Sequence, residues 1–113
     1  MPALATYIDR KLRGLYPDPS KRRAALNELL RYGGSSDEPE PERVRLAILK
    51  LAGSNQDELK KTVDGAKEDW EDIVGWAERP RETRSHMGNH KLHENQNRKI
   101  QQEDRDEWNS WLA

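Results

Sequence analysis

The chain has 113 residues, the size of one ordinary domain, and carries no cysteine. This excludes disulfides, thiolate metal sites and cysteine nucleophiles, and it suits a reducing compartment. Hydrophobic residues make up 33% and the net charge is −1. That apolar share is low against the roughly 45–50% of soluble domains, yet the small net charge does not meet the high-charge condition for disorder.

Residues 3–15 place Leu4, Ile8, Leu12 and Leu15 at helical spacing, with Arg10, Lys11 and Arg13 off the stripe. Gly14 and Pro17 end this first helix. Asp18 and Pro19 then supply an N-cap and a first-turn proline, and a second helix is predicted to about Tyr32, with Leu26, Leu29 and Leu30 on one face. Gly33-Gly34 stops it, and SSDEPEPE (35–42) reads as a linker. ERVRLAILKLA (42–52) is apolar on two sides. Val44, Ala47, Ile48 and Leu51 form one stripe and Leu46 and Leu49 point away from it, so this helix is expected at the centre of the fold. Gly53 closes it. Asn55 caps a fourth helix that buries Leu59, Val63 and Ala66. Asp69 followed by Asp72 marks a fresh start, which favours a separate fifth helix closed by Pro80. Trp70, Ile73, Val74 and Ala77 share its core stripe, and Trp76 lies at the margin.

The expected fold class is therefore all-α: a small bundle of four or five short helices over residues 1–80, followed by a polar, mobile or partly helical tail over 81–113. Of the 19 Leu, Ile and Val residues, only Leu92, Ile100 and Leu112 lie in that tail. Trp108, Trp111 and Leu112 would share one face if the end of the chain were helical. The cost of ordering eleven residues around two tryptophans and a leucine argues for a mobile tail that docks on a partner or a second copy; the alternative is a tail that folds back so that its tryptophans close the core.

Residues 42–78, ERVRLAILKLAGSNQDELKKTVDGAKEDWEDIVGWAE, resemble a segment of small bacterial proteins of unknown function. The shared pattern runs through Arg43, Val44, Leu46, Ala47, Leu49, Lys50 and Leu51, then Leu59, Val63, Ala66, Lys67, Asp69, Trp70, Asp72, Ile73 and Val74. The resemblance implies an all-helical fold and a bacterial origin and brings no catalytic residue. It covers about a third of the chain and leaves the charged C-terminal part outside.

Charge is uneven. Residues 1–36 carry seven basic and three acidic side chains, net +4, while residues 37–80 carry seven basic and twelve acidic, net −5. Two faces that attract each other or another copy are one consequence. Arg10, Lys11, Arg13, Lys21, Arg22, Arg23 and Arg31 flank the first two helices and are the candidates for gripping phosphates. The three histidines, His86, His90 and His93, have helical spacing, but Gly88 and Asn89 interrupt it and few apolar residues surround it, so no metal or other cofactor is expected. The acids around Asp69 and Asp72 are read as helix-start residues, and no phosphate loop or nucleophile motif occurs. The functional expectation is a non-catalytic cytoplasmic interaction or regulatory protein, without membrane spans, that meets a protein partner or itself through Trp76, Trp108, Trp111 and Leu112. The alternative is a nucleic-acid-binding protein using the basic front.

Overall fold

The computed structural model describes residues 3–87 and 94–113 and is all-α, with seven helices and no strand among the described residues. In chain order these are α1 (Leu4–Leu15), α2 (Pro19–Leu29), α3 (Pro41–Ala52), α4 (Gln56–Glu68), α5 (Trp70–Glu78), α6 (Pro80–Met87) and α7 (Glu94–Leu112). Five helices thus lie within residues 1–80, and the break before Trp70 is present.

Three of the helix starts follow from their capping residues. The carboxylate of Asp18 accepts from the Lys21 N–H at 2.9 Å, the Asn55 side chain from Glu58 N–H at 3.0 Å, and Asp69 from Asp72 N–H at 3.3 Å. Each satisfies a backbone donor that the first turn leaves unpaired. Between α2 and α3 the linker is organised by Glu38, which accepts from the backbone of Gly33 and Ser35 and from Lys67. The Lys67 hydrogen bond is the main reason the Glu38 carboxyl lies below its usual range. Gly33 sits at φ +92, where a Cβ would come within 2.5 Å of Pro41 Cβ, so this turn requires glycine.

Helix α3 is the centre. Val44, Leu46, Ala47, Ile48 and Leu49 are all 0% exposed, and the helix packs against α1, α4 and α5. Both sides are therefore core, as its two apolar faces predict. Around it stand Ile8, Leu12 and Tyr16 from the α1 segment, Ala25, Leu29 and Tyr32 from the α2 segment, Leu59, Val63 and Ala66 from α4, and Val74 and Ala77 from α5. Three expected core leucines do not bury. In α2 the inward face runs through Ala25 and Leu29, leaving Leu26 37% and Leu30 46% exposed, and Leu51 at the end of α3 is 41% exposed. Leu4, in the first turn of α1, is also exposed.

The tail is helical, as the partly helical reading allows, and it lies against the domain instead of apart from it. Residues 94–112 form a 19-residue helix whose Trp108, Trp111 and Leu112 pack against the core cluster. α7 packs on α6 and α5, and α6 packs in turn on α5. The physical reason is a set of charged contacts that compensate for sparse apolar burial.

Candidate interaction surfaces

The α7 surface is built around Asp104, the one fully buried charged side chain among the described residues, at 1% exposure. One carboxylate oxygen accepts from Arg81 N–H at 3.2 Å and from the Arg81 guanidinium at 3.1 Å, and the other accepts from Glu82 N–H at 3.1 Å. A residue of α7 thereby caps the first turn of α6, where free N–H groups and the helix dipole favour a negative charge. Arg81 also reaches Glu103 at 3.3 Å and Glu107 at 3.4 Å. Its guanidinium pKa is raised, first by the Asp104 hydrogen bond.

Lys50 of α3 completes the seam. Its ammonium donates to the Ala77 carbonyl at the end of α5 at 2.5 Å and to the Glu107 carboxylate at 2.6 Å. That second bond is the largest cause holding the Glu107 carboxyl below the usual carboxylate range. The same ammonium lies 5.9 Å from the Trp108 ring centroid. Trp108 and Trp111 stack with centroids 5.4 Å apart and planes at 29°, and Lys11 of α1 stands 4.5 Å from the Trp111 centroid. The order is cation, indole, indole, cation, spanning α1, α7 and α3. Both indoles and Leu112 remain half-buried, so part of each meets solvent.

The four tryptophans thus divide. Trp70, Trp108 and Trp111 pack against the core, whereas Trp76 is half-exposed and is not among the side chains packed on it. Of the partner-binding candidates, Trp108, Trp111 and Leu112 are brought together on α7, and Trp76 stands apart on α5.

The basic front is dispersed by local pairing. Arg13 pairs with Asp9 at 3.0 Å, and Arg31 pairs with Glu28 and, at 2.7 Å, with Asp64 of α4. Lys11 is committed to Trp111, Arg22 donates to the Tyr16 carbonyl at 3.5 Å, and Arg10 lies over the Tyr7 ring at 5.4 Å. Lys21 and Arg23 are exposed and meet no acidic partner among the described residues. Of the histidines, His86 falls in the last turn of α6, and His90 and His93 lie outside the described residues. Among the described residues no group of three or more His, Cys, Asp or Glu is arranged to hold a metal ion. No helix among them is long and apolar enough to cross a membrane. Asp69 is an N-cap, as expected.

Sequence reasoning missed Asp104, Arg81, Lys50 and Glu107 as a unit. Nothing local marks them, because their partners are 22 to 57 positions apart in the chain. The exposure of Leu26 and Leu30 was missed because the pattern of α2 offers two competing apolar stripes.

The fold and surfaces define an all-α protein with a charge-latched C-terminal helix. Set against protein-family models, curated proteins and solved structures, the chain gives no significant match. The resemblance of residues 42–78 therefore stands as an expectation from the sequence.

Proposed function

We propose that the chain is a non-catalytic interaction protein whose partner docks on the outer end of α7, around Trp108, Trp111 and Leu112. The observation that carries this reading is the stacked, half-exposed indole pair clamped between Lys11 and Lys50. Tryptophan is enriched at binding hot spots. A pair already fixed by stacking and cation contacts loses little freedom when a partner arrives. A cytoplasmic location suits a cysteine-free chain, and a bacterial origin is what the sequence resemblance implies.

The test is affinity capture from the native host with wild-type protein and Trp111→Ala, both checked for helical content by circular dichroism. A partner retained by the wild type and lost from the folded variant supports the reading. Identical capture by both defeats it.

Nucleic-acid binding through the basic front is the second reading. It is favoured by the exposed, acid-free Lys21 and Arg23 and weakened by the pairing of Arg13 and Arg31. It requires retention on RNA or DNA that falls steeply with salt and is lost in Arg23→Glu.

A further inference from the structure

Two helix faces lack a cover and match each other. On α2, burial is supplied by Ala25 and Leu29, and an outward stripe runs through Arg23, Leu26 and Leu30 at spacings i, i+3 and i+7. Its leucines are 37% and 46% exposed, and its arginine meets no acid among the described residues. On the other side, α5 buries Val74, Gly75 and Ala77. Asp69 at its N-cap, Asp72 and Trp76 follow the same i, i+3, i+7 spacing. Asp72 is exposed and bonds no cation among the described residues, and Trp76 is the tryptophan not packed on the core.

We propose that copies of this chain associate through these faces, α2 of one copy lying alongside α5 of the next. In a parallel arrangement Arg23 meets Asp69 and Asp72, while Leu26 and Leu30 cover Trp76. The charge sign is favourable beyond the contact, since residues 1–36 carry net +4 and residues 37–80 net −5. A second copy is the occupant favoured because the chain itself bears both halves, complementary in charge and spacing and both open. If the pairing is reciprocal it closes as a two-fold dimer; if not, it propagates as a chain of copies.

The proposal is independent of the α7 surface and is tested by charge exchange. Sedimentation velocity over a concentration series at low salt is run on the wild type, Arg23→Glu, Asp72→Arg, the double variant, and an equal mixture of the two single variants. Circular dichroism checks that each is folded. The wild type should self-associate, and each single reversal should weaken association by roughly tenfold or more. The double variant and the mixture should both recover it in part, since each restores one opposite-charge pair across the contact while Asp69 is unchanged. Trp76→Ala should weaken association, and Trp111→Ala should leave it unchanged. A wild type that stays monomeric at millimolar concentration overturns the proposal. So does association indifferent to both reversals, or a double variant as weak as the singles. The capture experiment on Trp111 is unaffected by any of these results, so the two readings fail separately.

Discussion

Helices α3 and α7 are held to the same molecule by opposite means. α3 buries five apolar side chains completely, Val44, Leu46, Ala47, Ile48 and Leu49, and is surrounded by other helices. α7 is longer, yet among the described residues its one fully buried side chain is a carboxylate, and its apolar residues are only half-covered. Apolar burial is non-directional and scales with area, so α3 holds its place by the sum of many contacts. α7 depends on a few directional bonds to Arg81, Glu82 and Lys50, each needing its partner in place. The first kind of attachment tolerates changes of detail. The second is sensitive to a single atom and to pH.

The largest expected effect falls on α3. Ile48→Ala removes a fully buried side chain and should cost about 2–5 kcal/mol of global stability, and Leu49→Ala, on the other face, a similar amount. Denaturant unfolding at two protein concentrations checks both. Because Leu49 is 0% exposed, its loss should not depend on concentration; a dependence would move that face from core to interface.

Next comes the latch. Asp104→Ala leaves the α6 N–H groups and the Arg81 guanidinium without their shared acceptor, at a cost of about 1–3 kcal/mol. The distinguishing measurement is where the loss appears. Amide exchange should accelerate through α6 and residues 103–113 while α3 stays protected. A uniform acceleration would show that α7 is as integral as α3 and would erase the contrast.

A smaller effect concerns acid. Glu107 has a depressed folded pKa, so its contribution is complete above the ordinary value of 4.5 and is lost as pH falls through the lower folded value. Loosening of α7 should therefore set in below about pH 4.5, and Glu107→Gln should flatten that part of the profile relative to wild type. Tryptophan emission against pH reads it. An unchanged profile would remove Lys50–Glu107 from the latch.

The smallest change is expected at Asp9. Its pair with Arg13 lies in solvent, with both side chains 65% exposed. Asp9→Asn should shift stability by less than about 0.5 kcal/mol.

The contrast also explains what could be read in the sequence. α3 was legible because its neighbours in space are recorded in its own periodicity: a helix apolar on two sides must be covered on two sides. Asp18, Asn55 and Asp69 were legible because caps act over three residues. Asp104 carries no such signature. An aspartate among Glu103, Asp106 and Glu107 looks like any solvated charge, and only the fold brings it to the start of α6. The same holds for the tail as a whole. The spacing of Trp108, Trp111 and Leu112 puts them on one face, but entropy weighed against apolar area alone favours a free segment, because the latch that tips the balance is invisible locally. In α2 both Ala25–Leu29 and Leu26–Leu30 are apolar pairs at helical spacing, and which of them faces the core is set by the neighbouring helices, which no single-helix pattern contains.

The indole stack of α7 has an optical consequence. Two indoles whose centroids are 5.4 Å apart at 29° form one coupled chromophore, and both belong to the same helix. Their exciton signal in far-ultraviolet circular dichroism therefore reports whether α7 is coiled, wherever it sits. The ammonium groups of Lys11 and Lys50 come from other helices, so the emission wavelength, which responds to nearby charge, reports whether α7 is seated. Coiling and seating of one helix thus acquire separate spectral channels with no dye attached.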